Sequence, residues 1–255
     1  MRNSFFQFQE FRIDQDSCAM KVTTESCLFG AFLAEWIKNQ GSADQCMILD
    51  IGAGTGILSL MVAQKNPQAE IIGIELDPLA AKQCDENFQS SPWNNRLRTI
   101  QTRFQDFSSN NPPCFDILLS NPPFYENQLK GKNPERLMAH HSTELNFQEL
   151  IQGAKILLKP QGNFCLLIPD YRKEEILEMA KKNQFYLFQE LSIRPSLNHS
   201  IFRWILIFRN ESNPSLLSSN LSIRDEKNEY SPRFKSLLQD FYLGKGETIP
   251  LKFPG

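Results

Sequence analysis

The stretch "MILDIGAGTGILSLMVAQK" (residues 47–65) decides how the rest of the chain is read. Its first six residues, 47–52, are an apolar run of strand length. Residues 55–65 then place apolar side chains at 57, 58, 60, 61 and 62 with polar ones beyond, the pattern of a helix packed on a core. Between the two lie alternate glycines, Gly52, Gly54 and Gly56, preceded by Asp50. Glycines at such a strand–turn–helix junction let the backbone approach a ligand closely. The spacing is not the G-x-G-x-x-G of a pyrophosphate turn, because the third glycine comes one residue early, and no G-x-x-x-x-G-K-[ST] is present, which excludes a P-loop.

Working outward, short apolar runs alternate with amphipathic stretches, the pattern of an α/β fold. Six further strands are expected at 69–76, 97–103, 115–120, 163–169, 185–195 and 202–210, making seven. Helices are expected at 77–89, where Asp77 is the N-cap before Pro78, at 143–160, stopped by Pro160, at 172–184, and at 231–243. Continuous apolar strands such as "FDILLS" (115–120) imply burial on both faces, hence a mostly parallel sheet with helices on both sides. The last two strands have no helix between them and are expected to pair antiparallel at one edge. The Ser- and Asn-rich segment 211–229 reads as a loop. The whole chain, 1–255, is expected to form one domain, with 211–255 as a C-terminal extension.

Composition narrows the classes. The 255 residues are 41% hydrophobic and 22% charged, with a net charge of -2, which is not a uniformly basic nucleic-acid binder. The charge is uneven: residues 194–255 hold nine Lys and Arg against six Asp and Glu. Six scattered cysteines without a C-x-x-C pair point to reduced thiols in a cytoplasmic protein. The N-terminus lacks a signal-peptide core, and no apolar run reaches the ~18 residues of a membrane span, so no membrane partner is expected. His140 and His141 have neither a third His nor a carboxylate at ligand spacing, so no metal is expected. Phe5, Phe6, Phe8 and Phe11 are spaced irregularly and are expected to pack rather than to form a stacking platform.

Glu75 ends the second strand, 19 residues after Gly56. A carboxylate there can accept ribose hydroxyls of an adenosine, in NAD or in S-adenosyl-L-methionine alike. The early third glycine and the leading acid favour S-adenosyl-L-methionine. Asp50 would face its methionine amino group, and Asp106, after the third strand, its adenine edge.

The second motif is "NPPF", Asn121, Pro122, Pro123 and Phe124, directly after the fourth strand. In an open α/β sheet ligands bind beyond the carboxyl ends of the strands, and the first and fourth strands are commonly neighbours at the switch point. The motif suits an exocyclic amine. The Asn121 side-chain oxygen and a main-chain carbonyl, that of Pro122, can accept the two N6 hydrogens of adenine. Prolines hold those carbonyls stiffly and offer no competing N–H. Phe124 can stack on the base, worth roughly 1–3 kcal/mol.

With both motifs in view, the chain resembles the class I S-adenosylmethionine-dependent methyltransferases, of Rossmann-like fold. More narrowly, "FQFQEFRIDQDSCAMKVTTESCLFGAF" (6–32), "IELDPLAAKQCDENFQSSPWNNRLRTIQ" (74–101), "RLMAHHSTELNFQEL" (136–150) and "YSPRFKSLLQDFYL" (230–243) resemble the bacterial tRNA valine-specific adenine-N6 methyltransferases. The resemblance implies methyl transfer to N6 of the adenine 3′ of the anticodon, a tRNA partner, and a segment 1–45 that covers the cofactor through Lys21 and Thr24. Read from the residues alone, Thr24 serves equally as a helix cap. A monomer is favoured. Arg233 and Lys235 are candidates for RNA grip. Three alternatives are weighed: a guanine-N2 methyltransferase, a glutamine methyltransferase, and an inactive RNA-binding module. The first two usually carry an additional N-terminal domain, for which the single glycine motif at residue 50 leaves no room, and the intact motifs speak against the third.

Overall fold

The computed structural model describes residues 4–18, 20–40, 45–110, 114–122, 145–210 and 215–243. Ten strands occur among them: β1 Phe5–Gln7, β2 Arg12–Asp14, β3 Cys46–Ile51, β4 Ala69–Glu75, β5 Leu97–Gln101, β6 Phe115–Ser120, β7 Leu158–Pro169, β8 Tyr186–Ser196, β9 Arg203–Arg209 and β10 Leu217–Arg224. The α-helices are α1 Thr24–Asn39, α2 Ile57–Lys65, α3 Pro78–Gln89, α4 Phe104–Asn110, α5 Phe147–Leu157, α6 Lys173–Lys182 and α7 Pro232–Leu238. β1 and β2 form an antiparallel hairpin, and the other eight strands form one sheet in the order β10-β8-β9-β7-β6-β3-β4-β5.

The central strands bury apolar residues on both faces, as their mostly apolar runs require. Ile48, Ile117 and Leu119 enter a core that also contains Phe29 and Leu33 of α1, Leu60 and Met61 of α2, and Phe88 of α3. Leu49, Leu118 and Phe164 enter the opposite core with Leu150 of α5 and Ile176 of α6. Close packing of α1 on α2 needs a residue without a side chain at Gly30, where a Cβ would lie 2.6 Å from the Met61 sulfur. Phe8 and Phe11 are buried and stacked with ring centroids 4.5 Å apart, so the phenylalanines near the N-terminus do pack, apart from the exposed Phe5 beneath the Arg12 guanidinium.

Four expectations are corrected. The sheet has eight strands rather than seven, because the segment read as a loop contains β10. Only Leu221 and Ile223 of that strand are fully buried, and the Ser and Asn residues around them hid its alternation. The antiparallel strand is β9, and it lies inside the sheet between β7 and β8 rather than at an edge; the edge strand β10 runs parallel to β8. Finally, the helix expected to stop at Pro160 ends at Leu157, and β7 runs through the proline. The β6–β7 register shifts at that point, from Phe115↔Leu158 to Ile117↔Asn163, so Pro160 sits where the strand is irregular and a missing N–H is tolerated.

Candidate active site

The site grows from the pairing of β3 with both β4 and β6. Asp50 is level with Gly73 on β4 and Leu119 on β6, and Ile51 with Ile74 and Ser120. The glycine turn and the start of the NPPF motif therefore leave the sheet side by side, the adjacency expected of the first and fourth strands. The Ser120 hydroxyl donates to the Ile51 carbonyl at 2.8 Å and ties the two strand ends together.

The turn is fastened to β4 by the N–H groups of Gly52 and Ala53, which both donate to the Ile74 carbonyl at 2.9 and 3.0 Å. All three motif glycines have positive φ, 73°, 56° and 79° for Gly52, Gly54 and Gly56. Gly56 is doubly constrained: a Cβ there would also lie 2.5 Å from the Phe88 ring. Gly56 is the N-cap of α2 and has no side chain to cap it. Of the first-turn N–H groups, that of Ser59 goes to Asp50; those of Ile57 and Leu58 lie at the end where the helix dipole favours negative charge.

Asp50 is fully buried. Its Oδ2 accepts the Ser59 hydroxyl at 2.7 Å, while Oδ1 has no hydrogen-bond partner. Burial pushes its carboxyl up to about 7, the Ser59 bonds pull it down, and the negative Glu75 nearby adds to the rise. Such an orphaned acceptor suits a cationic ligand group. Ser59 carries no sequence signal of its own; it sits at the third position of α2, where helix geometry turns it back onto β3.

Glu75 is held by three backbone N–H groups. Oε1 accepts from Leu76 and Asp77 at 2.8 and 3.0 Å, and Oε2 from Gly54 at 2.9 Å. With two acceptor positions per oxygen, Oε2 keeps one for a hydroxyl. Leu76 beside it is 45% exposed and offers an apolar face. Asp77 is the N-cap of α3, accepting from Leu79 and Ala80, as its position before Pro78 predicts.

The N-terminal segment is clamped over this turn by residues that composition does not single out. Asn87 of α3, buried, donates to the carbonyls of both Asp14 and Thr55 at 2.9 Å and accepts from the Asp14 N–H at 2.9 Å. Gln15 accepts from the Val22 N–H at 2.9 Å. The Cys18 thiol is pushed up to about 11, first by burial and then by the charges of Glu75 and Asp77, with Lys21 acting in the opposite direction. Cys18 is therefore within electrostatic reach of Glu75, and Lys21 within reach of Cys18. Thr24 is buried and begins α1, but it is not the cap: Thr23 is, in a reciprocal capping box with Ser26.

Asn121 is half-buried and Pro122 buried at the end of β6. Pro123, Phe124, His140 and His141 lie outside the described residues. Asp106 is exposed in the first turn of α4, five positions past the end of β5. Among the described residues no three His, Cys, Asp or Glu come together in a metal-holding group, and no helix is long and apolar enough to cross a membrane. The six cysteines are free thiols.

A doubly wound sheet with this turn, an acid ending the neighbouring strand and an amide leaving the switch point defines a Rossmann-like class I methyltransferase. The family model of the methyltransferase small domain matches residues 30–186. Among solved structures, a predicted O-methyltransferase from Agrobacterium tumefaciens superposes with a TM-score of 0.64 at 17% identity, covering 84% of this chain and 95% of that one. A Pyrococcus horikoshii protein in complex with MeSAdo gives 0.54 at 16% identity, covering 80% and 70%. The sequence relatives are more specific. Proteins named tRNA1(Val) (adenine(37)-N6)-methyltransferase are 34% identical over 95% of this chain and 99% of theirs in Bacteroides thetaiotaomicron, and 36% identical over 95% and 98% in Dyadobacter fermentans. One from Pseudoalteromonas translucida is 36% identical over 94% and 99%. The chain belongs to the tRNA1(Val) (adenine(37)-N6)-methyltransferase family.

Proposed function

We propose that this protein transfers a methyl group from S-adenosyl-L-methionine to N6 of an adenine in tRNA, the adenine 3′ of the anticodon of a valine tRNA. The observation that carries the reading is the β3–β6 pairing, which brings the Asp50 and glycine turn beside Asn121 and Pro122. Family membership supports the substrate.

The residues present fit the cofactor. The orphaned Asp50 Oδ1 would accept the methionine ammonium, the Ile57 and Leu58 N–H groups at the start of α2 its carboxylate, and Glu75 Oε2 a ribose hydroxyl. Gly52, Gly54 and Gly56 would let it lie against the turn. Lys21 and Thr24 would cover it from the N-terminal segment, and Asp106 would meet the adenine edge. When bound, S-adenosyl-L-methionine supplies an activated methyl group on a sulfonium. Asn121 Oδ1 and the Pro122 carbonyl accept the two N6 hydrogens of the target and aim the nitrogen lone pair. Pro123 stiffens the turn, and Phe124 stacks on the base. No strong general base is required, because the amine becomes acidic as its bond to carbon forms. Alignment carries the rate, a contribution that reaches ~7–11 kcal/mol in well-oriented systems. In this reading residues 1–255 act as one cytoplasmic, monomeric domain, with 1–45 over the cofactor and 211–255 as a C-terminal extension.

The test is to incubate the protein with methyl-labelled S-adenosyl-L-methionine and total tRNA lacking the modification, then digest and identify the labelled nucleoside. N6-methyladenosine is expected; N2-methylguanosine or no incorporation would overturn the reading. Asn121→Ala should abolish transfer with cofactor affinity unchanged, and an equal loss of cofactor binding would refute its role on the base.

A further inference from the structure

Beyond the crevice, the carboxyl edge of the sheet carries chemistry that methyl transfer does not use. Ser120 at the end of β6 is level with Leu166 of β7, so Pro169 stands three residues further out and the turn Asp170–Arg172 rises beyond it. That is a wall about 10 Å above Ser120 at ~3.3 Å per residue. It presents Tyr171, 60% exposed. Behind it the Arg172 guanidinium lies 5.0 Å from the centre of the Phe147 ring, and the Lys173 ammonium 3.3 Å from that of Trp204.

On the α6 side of the sheet, the helix layer ends at α6. β8 and β10 beyond it form a groove of about 370 Å³, floored by Ser192, Ser218, Asn220 and Ser222 and bordered by Trp204, Arg194 and the Glu190 carboxylate, which accepts the Ser218 hydroxyl at 3.0 Å. The groove begins three strand spacings from β6, about 14 Å. Beside the groove, Lys173 is matched by Glu190 at 2.7 Å. The Nε of Arg194 is buried without a hydrogen-bond partner. At the outer edge Arg233 donates to the Asn220 carbonyl, which brings a second guanidinium to the border.

We propose that the surface running from Tyr171 across Trp204 to Arg194 binds the single-stranded nucleotides that flank the target adenine in the tRNA. This rests on the tRNA reading above and extends it from the target base to its neighbours. The exposed Tyr171 ring receives a base, a guanidinium without an ion pair receives a phosphate, and a floor of hydroxyls and an amide receives sugar and base edges. A floor of Ser and Asn is a poor match for an apolar protein segment. The excess of nine cations over six anions in residues 194–255 favours a polyanion.

The experiment measures KM and Kd for tRNA lacking the modification, across a salt series, with Tyr171→Ala and Arg194→Gln in the full chain. Cofactor affinity and thermal stability are measured alongside. Each variant is expected to weaken tRNA roughly fivefold or more with cofactor affinity unchanged. Tyr171→Phe should restore the first loss, because stacking needs only the ring. Arg194→Gln should flatten the salt slope by about one. Arg98→Ala, on β5 at the opposite edge of the sheet, should have no effect. On the unaltered protein, tRNA should protect the amides of 170–173 and 190–197 from hydrogen exchange. Unshifted KM and Kd in both variants, or no protection there, overturns the inference. If the unaltered protein fails to make N6-methyladenosine, the tRNA reading falls instead.

Discussion

Replacing Asp50 by Asn should make the cofactor-free protein more stable at pH 8 while destroying cofactor binding. The side chain is fully buried, one oxygen has no partner, and burial holds the carboxyl at about 7. An unfolded Asp titrates near 3.9. Between those values the folded state keeps a proton that the unfolded chain has released. Stability from this group is therefore complete below about 3.9 and is lost as pH rises through about 7. The interval is about three pH units at ~1.4 kcal/mol each, or about 4 kcal/mol, an upper figure for the cost of the buried anion at pH 8. Asn has nearly the same shape, keeps an acceptor for the Ser59 hydroxyl and carries no charge. The stability gap between Asp50→Asn and the parent should widen by about 3 kcal/mol between pH 5 and pH 8, the two pH units below about 7. For a chain of this size that corresponds to roughly 6–12 °C in melting temperature. Urea unfolding at both pH values isolates the effect, because titrating groups that do not interact with Asp50 cancel in the difference. Titration calorimetry with S-adenosyl-L-methionine supplies the second half. A gap that stays constant with pH would refute the assignment of a near-neutral Asp50, and retained cofactor binding would refute its role toward the ammonium.

Gly56→Ala places a side chain at φ 79° and 2.5 Å from the Phe88 ring, so it should lower stability by roughly 2–4 kcal/mol and reduce cofactor affinity; an unchanged melting temperature would contradict the packing argument. Asn87→Ala removes three hydrogen bonds that hold Asp14 to Thr55, and should raise KM for the cofactor several-fold with kcat nearly kept. Hydrogen exchange should speed up over residues 14–22 in that variant, which a loss of general stability alone would not confine to this segment.

Much of this protein follows from local sequence. Strands that are mostly apolar, β3, β4 and β6, are read as buried on both faces, and that burial states the parallel sheet. The glycine turn and the Asp77–Pro78 start of α3 are set by backbone conformations that few residues adopt, so they can be read one residue at a time. Elements whose pattern depends on several neighbours could not be read this way. Helix α1 is buried on most of its surface, between α2, α7 and the sheet, and so lacks a clean amphipathic stripe. β10 buries only two apolar residues against a single neighbouring strand, and its polar face opens on the groove. The position of β9 inside the sheet depends on which strands it pairs with, and pairing is a long-range choice that no local pattern encodes.

The same division runs through the site. As candidates, Asp50, the three glycines, Glu75 and the Asn121–Pro122 pair were available from type and spacing, because the role proposed for each rests on its own backbone or side chain. Ser59, Asn87 and Gln15 were not, because a serine or an amide in a helix or loop is ordinary until folding buries it against a particular partner. Sequence by itself determined what the crevice is made of. Only the tertiary structure decided that Asp50 would be dry enough to hold its proton near neutrality, and that a serine-floored groove with an unmatched arginine would open on the same edge. Desolvation and juxtaposition belong to the assembled chain and to no residue within it.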